Sequence, residues 1–177
     1  GWSLRTKAIL EAEMLMTVSQ RTADELVRIY PQVKSKVIPG LIGANPNFFP
    51  ISMPDSINEA SHDQYEDFPT KYALLVGSRA SYKNGEKLVK MWNRVHTDLT
   101  LVLIGGEPLD RQIPGVIQLF PQDSDLARIY SNATVTIIPS RYEGFGLPAR
   151  ESILMGTPVV CVGDTVSEAA FGREISI

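Results

Sequence analysis

The sequence predicts an α/β domain built on a doubly wound, Rossmann-like parallel sheet. Beyond Lys71, continuous apolar runs of strand length recur, and segments with helical periodicity separate them. Strands without polar alternation are typical of a parallel sheet that helices cover on both faces. Such sheets bind ligands at the carboxyl ends of their strands. We therefore expect functional residues in the loops that follow the strands.

The elements of this domain can be placed one after another. Each apolar run ends near a glycine or proline, and each helical segment presents one apolar face. The predicted elements are a strand over 72–76, a helix around 88–95, a strand over 99–104, a strand over 116–120, a helix around 126–130, a strand over 133–138, a helix over 147–155 and a strand over 158–162.

Shorter elements are expected before this domain. A strand is predicted from Leu15 to Val18, and Ser19 is a suitable N-cap for a helix through Thr22 to Tyr30. Asp24 and Glu25 are expected in the first turn of that helix, where negative charge is favourable. The following stretch has four prolines among polar residues between positions 45 and 70, which predicts a loop.

Composition excludes several classes of function. The 177 residues carry a formal net charge of −3 and no basic run with interleaved aromatics, which argues against nucleic-acid binding. The single cysteine, Cys161, lies in an apolar run, so we expect a buried thiol and a reducing, cytoplasmic compartment. The two histidines, His62 and His96, lie far apart in unrelated contexts, and no metal cluster is visible. Neither end has the pattern of a natural terminus, so we expect a piece of a longer protein.

The strongest functional signal follows the fourth strand of the domain, at Pro139-Ser140-Arg141-Tyr142-Glu143-Gly144-Phe145-Gly146-Leu147-Pro148. The two glycines let the backbone approach a ligand closely, and Pro148 suits the first turn of a helix. The start of a helix offers unpaired N–H groups, which suit an anion or sugar hydroxyls. Glu143 and Glu151 are carboxylates that can accept hydrogen bonds from the vicinal diols of a hexose or a ribose. We expect both to face one crevice.

These residues resemble a known donor site. Two glutamates separated by seven residues, with Gly-Phe-Gly-Leu-Pro between them and Gly156-Thr157-Pro158-Val159-Val160 after them, closely resemble family 4 glycosyltransferases of the GT-B fold. The resemblance implies that Glu151 binds the ribose of a nucleotide. It also implies that the sugar and the phosphate contact a second set of residues, Glu143, Gly144, Phe145, Gly146 and Leu147. Without the resemblance, Glu151 would be interpreted as complementing a helix dipole and Glu143 as a solvated loop acid.

A second motif, Val76-Gly77-Ser78-Arg79-Ala80-Ser81-Tyr82-Lys83-Asn84, follows the first strand of the domain. It resembles the family's Gly-x-Arg-x-x-x-Lys-Asn loop, which implies that Gly77 contacts the donor and that Arg79 and Lys83 meet its diphosphate. Glycosyl transfer releases a nucleoside diphosphate, and fixed cations stabilise the charge that develops on it. Together with Glu143, the two cations are the predicted catalytic residues. No metal or other cofactor is expected. The Gly105-Gly106 turn and Glu168 agree with the family only weakly.

The resemblance implies one half of a GT-B fold. Residues 1–44 would be the tail of an amino-terminal domain and the crossing from it, residues 45–70 a loop, and residues 71–177 a truncated nucleotide-sugar-binding domain. The enzyme would be a retaining glycosyltransferase of polysaccharide or cell-envelope synthesis. It would move a hexose from a nucleoside diphosphate sugar to a glycan or lipid-linked acceptor held by the missing domain. The chain alone is then expected to be inactive. Peripheral membrane contact of the full-length protein stays open, because many relatives glycosylate lipid-linked acceptors.

Other interpretations remain. A nucleotide-sugar epimerase or a glycan phosphorylase would share the fold, although we can locate no lysine for the pyridoxal phosphate of a phosphorylase. A flavodoxin-like or receiver module would be non-catalytic, but a receiver needs an acidic cluster where Gly77, Ser78 and Arg79 stand. A dehydrogenase would need Gly-x-Gly-x-x-Gly after its first strand, and that string is absent. The sequence does not specify the base, the sugar or the acceptor.

Overall fold

The computed structural model describes residues 2–40, 42, 48, 68–77, 81–95 and 97–163. The chain divides into two compact units. Of the described residues, the first unit contains 2–40, 42 and 143–146, and the second contains 48, 68–77, 81–95, 97–142 and 147–163. Three sequence predictions, namely Arg79, Glu168 and most of the loop over 45–70, lie outside the described residues.

The described residues form α-helices and β-strands at nearly all predicted positions. The α-helices are α1 (Trp2–Glu11), α2 (Gln20–Ile29), α3 (Gly85–Met91), α4 (Asp123–Ser131) and α5 (Leu147–Leu154). The strands are β1 (Leu15–Thr17), β2 (Val37–Pro39), β3 (Tyr72–Val76), β4 (Thr100–Ile104), β5 (Val116–Leu119), β6 (Val135–Ile138) and β7 (Val159–Cys161). Short 3-10 helices span Pro31–Lys36, Ser81–Lys83 and Trp92–Arg94.

In the first unit, β1 pairs in parallel with β2, and α2 follows β1 directly. The predicted cap is confirmed, because the Ser19 hydroxyl oxygen accepts a hydrogen bond from the backbone N–H of Thr22 at 3.2 Å. The helix begins at Gln20, however, two residues earlier than expected. Asp24 and Glu25 therefore lie in the second turn, and the prediction that they occupy the first turn is wrong. The reason is that an N-cap immediately precedes the first helical residue.

The second unit contains a five-stranded sheet with the order β5-β4-β3-β6-β7, in which every neighbouring pair is parallel. This confirms the predicted doubly wound α/β fold. Within this sheet, the chain passes from the central strand β3 outward to β4 and β5. It then crosses to the other side of β3, where it forms β6 and β7. The strand order reverses between β3 and β6, and open α/β sheets bind their ligands at such a switch point.

Side chains of the central strands are buried on both faces of this sheet. Tyr72 and Leu74 belong to one apolar cluster together with Tyr130 of α4. Ala73 and Leu75 point to the other face, where their cluster includes Trp92. Successive residues of a strand face opposite sides. Burial of successive residues therefore explains why the predicted strands are continuously apolar in sequence.

The outermost described strand, β7, departs from expectation. Cys161 is half-buried, and its neighbours Val160 and Val162 are exposed. The expectation of a buried thiol is therefore wrong. Among the described strands, β7 pairs only with β6, so its apolar sequence does not bring the full burial that β3 and β4 have.

Candidate functional site

Both sequence motifs begin at the switch point of the sheet. β3 ends at Val76 and β6 at Ile138, and these two strands are parallel neighbours. The segments that follow them therefore leave the same edge of the sheet. Gly77 continues β3 with a backbone φ of +102°, a conformation that side-chain-bearing residues rarely adopt. Its N–H donates to the carbonyl of Ile104 on the neighbouring strand at 3.0 Å.

Two hydrogen bonds join the segments that follow β3 and β6. The side-chain amide of Asn84 donates to the Pro139 carbonyl at 2.8 Å. The N–H of Arg141 donates to the Tyr82 carbonyl at 2.9 Å. Lys83 is half-buried and lies in the chain between these two attachment points. The structure thus brings the Lys83 segment and residues 139–141 together.

Asn84 has a further unusual property. It is the only non-glycine residue with positive φ (+53°) among the described residues, and asparagine is one of the few residues that tolerate this region. Its side-chain oxygen Oδ1 is buried and has no hydrogen-bond partner among the described residues. Asn84 is held in this position by the hydrogen bond from its side-chain amide to the Pro139 carbonyl.

Glu151 lies on α5 of the second unit, and its carboxylate is held by a tyrosine. The Tyr130 hydroxyl donates to Glu151 Oε2 at 2.7 Å. Burial raises the pKa of Glu151, the Tyr130 hydrogen bond acts in the opposite direction, and the charge of Asp123 adds to the increase. Burial also raises the pKa of Tyr130, with the charge of Glu151 contributing. The phenol therefore stays protonated and acts as the donor.

Buried hydroxyl groups fix the helix that carries Glu151. Ser152 is fully buried on α5, and its hydroxyl lies 2.8 Å from Thr136 Oγ1 on β6 and 3.0 Å from the Thr157 carbonyl. The Thr157 hydroxyl donates to the Tyr130 carbonyl at 2.5 Å. These bonds connect α5 to β6 and to the end of α4. They fix the direction in which Glu151 leaves its helix.

Of the five residues predicted to contact the sugar and the phosphate, Glu143, Gly144, Phe145 and Gly146 belong to the first unit. The fifth, Leu147, begins α5 in the second unit. The hydroxyl of Ser19, at the start of α2, donates a short hydrogen bond to the Gly144 carbonyl. The Thr22 hydroxyl donates to the same carbonyl at 3.2 Å. One backbone oxygen of the loop is therefore held by two side chains of the first helical turn.

Close packing accounts for Gly144 of this loop, and backbone conformation accounts for Gly146. A Cβ atom on Gly144 would lie 3.1 Å from Val18 Cγ2 and 3.6 Å from Thr22 Oγ1, so only glycine fits without displacement. Gly146 adopts a φ of +93°. Phe145 is buried and Glu143 is half-buried.

A third segment, the glycine turn after β4, is shaped by Gln118 of β5. The side-chain amide of Gln118 donates to the carbonyls of Gly105 and Glu107, at 2.8 and 3.0 Å. Its oxygen accepts the N–H of Leu109 at 2.9 Å. Gly105 and Gly106 both have positive φ. One side chain thus determines the path of the whole turn.

The sequence indicates the motif residues but not the residues that hold them. It indicates Ser19 only as a helix cap. Tyr130 falls on the apolar face of α4, which gives no sign that its hydroxyl meets Glu151. Thr22 and Gln118 had no signal beyond being polar residues beside predicted elements.

The described residues contain neither a metal-ligand cluster nor a membrane-spanning helix. No group of three or more His, Cys, Asp or Glu side chains in them is arranged to hold a metal ion. None of the helices described there has both the length and the apolar character that crossing a bilayer requires.

Known proteins share sequence and fold with this chain. Residues 70–171, more than half of the chain, match the sequence model of the family described as "Glycosyl transferases group 1". The O-antigen chain mannosyltransferase B of Escherichia coli is 25% identical over 166 residues, covering 85% of this chain and 43% of that protein. An uncharacterized glycosyltransferase of Methanocaldococcus jannaschii is 31% identical over 168 residues, covering 85% and 42%. The chain thus spans less than half the length of these two relatives.

Among solved structures, the Anabaena protein HepE in complex with UDP-glucose superimposes with a TM-score of 0.68 at 16% identity. The match covers 87% of this chain and 46% of that one. At this identity the likeness concerns the fold alone, and it confirms the expected half of a GT-B fold.

Proposed function

The chain belongs to the group 1 glycosyltransferases, and we propose that it is the donor-binding part of a retaining hexosyltransferase. The donor is a nucleoside diphosphate sugar, and the acceptor is a glycan or a lipid-linked sugar bound elsewhere in the full-length protein. The observation that carries this proposal is the placement of the Lys83 segment and residues 139–141 at the switch point, joined through Asn84 and Arg141. Binding of a nucleotide at this position is the common use of an open α/β sheet.

In this proposal the donor diphosphate meets Gly77, Arg79 and Lys83. Bond cleavage leaves negative charge on the departing nucleoside diphosphate, and a fixed ammonium group stabilises it without a metal. The hydrogen bonds at Tyr82 and Asn84, the residues on either side of Lys83, limit the movement of the backbone that carries the cation. Pre-organisation of this kind lowers the reorganisation that the reaction requires.

The transferred sugar contacts residues 143–147. The Gly144 carbonyl is held by Ser19 and Thr22, which supports a loop of fixed conformation. The N-terminal turn of α5 follows this loop in sequence, and such a turn offers unpaired N–H groups to phosphate or sugar oxygens. Glu143 positions the sugar by accepting hydrogen bonds from its hydroxyls. No covalent role is assigned to it.

Glu151 binds the ribose. Its carboxylate accepts hydrogen bonds in the ionised form, and one oxygen is already held by Tyr130. One relative is named as a mannosyltransferase, and one structural neighbour was solved with UDP-glucose. Mannosyl and glucosyl donors are therefore the first to test.

The first experiment is a calorimetric titration of this chain with uridine, guanosine and adenosine diphosphates. We expect one of the three to bind and the chain alone to transfer no sugar from any of their hexose conjugates. Absence of binding by all three contradicts the donor-site proposal. Turnover by the chain alone contradicts its assignment as only the donor-binding part.

The second experiment uses the full-length enzyme. Lys83→Ala is expected to lower kcat by about 100-fold, the usual effect of removing one fixed donor to a developing charge. Lys87→Ala, on the exposed side of α3 four residues later, is the matched control and should change kcat less than twofold. Equal effects of both variants contradict the role of Lys83. Activity should also survive EDTA, and a loss that Mg²⁺ or Mn²⁺ restores contradicts metal-independent transfer.

A further inference from the structure

Tyr130 is a buried residue whose hydroxyl group meets the side chain of Glu151. It is fully buried at the end of α4, and its hydroxyl donates to Glu151 Oε2 at 2.7 Å. Both residues belong to the second unit. A buried phenol usually finds a hydrogen-bond partner, but a backbone carbonyl would suffice. Here the partner is the one carboxylate to which the proposed function assigns the ribose.

The ring of Tyr130 is fixed by its surroundings. Phe48 meets it edge to face, with ring centroids 5.5 Å apart and an interplanar angle of 79°. The Thr157 hydroxyl donates to the Tyr130 carbonyl at 2.5 Å. A phenol hydroxyl lies in the plane of its ring, so a fixed ring also fixes the position of the donor. The hydrogen bond therefore points in a set direction.

The hydrogen bond from Tyr130 restricts the position of the Glu151 carboxylate. A glutamate on a helix has three rotatable side-chain bonds and would sample several positions for its carboxylate. Because Tyr130 holds Oε2, the other oxygen, Oε1, is presented in one orientation. The buried Ser152 fixes the backbone of the same helix turn through Thr136. Glu151 is thus constrained at both its backbone and its carboxylate.

We propose that Tyr130 is a positioning residue for ribose recognition, which holds Glu151 so that Oε1 accepts a hydrogen bond from a ribose hydroxyl. This rests on the proposed function, in which Glu151 binds the ribose. Tyr130 itself does not touch the donor. Its contribution is the preference of the enzyme for a ribonucleotide over a deoxyribonucleotide, since a carboxylate that is free to rotate would discriminate less.

The test uses the full-length enzyme and calorimetric Kd values for a nucleoside diphosphate and for its 2′-deoxy and 3′-deoxy analogues. Wild-type enzyme should bind the ribonucleotide at least about tenfold better than the analogue lacking the contacted hydroxyl, because hydrogen bonds to charged groups are among the stronger ones. Tyr130→Phe should reduce this preference by at least about fivefold. Its affinity for the deoxy analogue should stay within twofold.

Tyr72→Phe is the matched control. Tyr72 is buried in the same apolar cluster, and its hydroxyl donates to the Ile129 carbonyl at 2.6 Å. The control therefore loses one buried tyrosine hydrogen bond in which Glu151 takes no part. It should leave the ribose preference unchanged, and a reduction equal to that of Tyr130→Phe overturns the proposal.

Glu151→Ala tests the assignment of Glu151 to the ribose separately from the positioning role of Tyr130. Retention of the ribose preference in Glu151→Ala refutes the assignment of Glu151 to the ribose, whatever Tyr130→Phe does. If Glu151→Ala loses the preference and Tyr130→Phe keeps it in full, the positioning role of Tyr130 alone is overturned. Should Tyr130→Phe not fold, 3-fluorotyrosine at position 130 keeps the ring and makes the hydroxyl a stronger donor. The preference should then change more than twofold, and an unchanged preference overturns the proposal.

Discussion

Replacing Ser19 by alanine removes one buried hydroxyl that performs two tasks in the first unit. As an N-cap it accepts the N–H of Thr22, and as a donor it holds the Gly144 carbonyl. Loss of a serine cap costs about 1 kcal/mol, and loss of a hydrogen bond to a carbonyl costs about 1 kcal/mol more. Thr22 still donates to that carbonyl, so no larger desolvation penalty is expected. The sum is about 2 kcal/mol of local stability.

Hydrogen–deuterium exchange of the backbone measures this loss directly in the full-length enzyme. Amides that exchange through local opening should exchange about 30-fold faster for 2 kcal/mol, since each tenfold corresponds to about 1.4 kcal/mol. We expect this in Ser19→Ala for peptides covering α2, together with faster exchange in residues 143–146. Thr22→Val keeps the backbone N–H that the cap binds and removes the Thr22 hydroxyl, which donates to the Gly144 carbonyl and also lies 3.1 Å from the Ser19 hydroxyl. It should accelerate the loop and leave α2 within about threefold.

Gln20→Ala is the matched control at the next position. It removes an exposed hydrogen bond to Asp24, whose loss is worth a few tenths of a kcal/mol. If Ser19→Ala leaves both α2 and the loop unchanged, or if Gln20→Ala accelerates them as much, the double role of Ser19 is refuted.

Three further predictions concern the second unit. Burial raises the pKa of Glu151 above its usual 4.5, so ionisation of this carboxyl lowers the free energy of unfolding as pH rises from 4.5 through the raised pKa. Glu151→Gln should therefore be at least as stable as wild type at pH 7. The difference between the urea midpoints of the two proteins should vanish below pH 4.5. Ser152→Ala leaves Thr136 Oγ1 and the Thr157 carbonyl without their buried partner, which should cost about 2 kcal/mol and lower Tm by about 4–8 °C in calorimetry. A Tm within 1 °C of wild type would contradict this network. A Cβ atom at Gly77 would meet no atom of the described residues within 4 Å, but alanine there must adopt a φ of +102°. Backbone strain should therefore cost about 1–2 kcal/mol in chemical denaturation, and an unchanged midpoint would show that the loop relaxes freely.

The sequence was sufficient to predict the sheet and the strands from which the motifs emerge. The reason is that β3 and β4 are buried on both faces, and double burial leaves an unbroken apolar run that periodicity detects. The same argument fails at Cys161, because β7 pairs with a single strand among the described residues and is less buried than its apolar composition indicates. It also misplaced Asp24 and Glu25, because the position of the first helical residue depends on cap geometry.

The contacts that hold the motifs could not be predicted, since each joins residues distant in sequence. Ser19 and Gly144 are 125 positions apart, and Asn84 and Pro139 are 55 apart. Periodicity describes the neighbours of a residue along one element. It carries no information on which hydroxyl reaches which carbonyl across the fold.

The three holding contacts share one physical arrangement. In each, a polar side chain from a different element binds the segment that is proposed to meet the ligand: Tyr130 holds Glu151, Asn84 holds the segment after β6, and Ser19 holds the loop at Gly144. None of these three residues is assigned a contact with the donor. Their substitution should therefore change how well the site is organised and leave its chemical groups present. For that reason a variant such as Tyr130→Phe can lose ribose preference while every predicted donor-binding residue remains in place, and only a measurement of selectivity would reveal the loss.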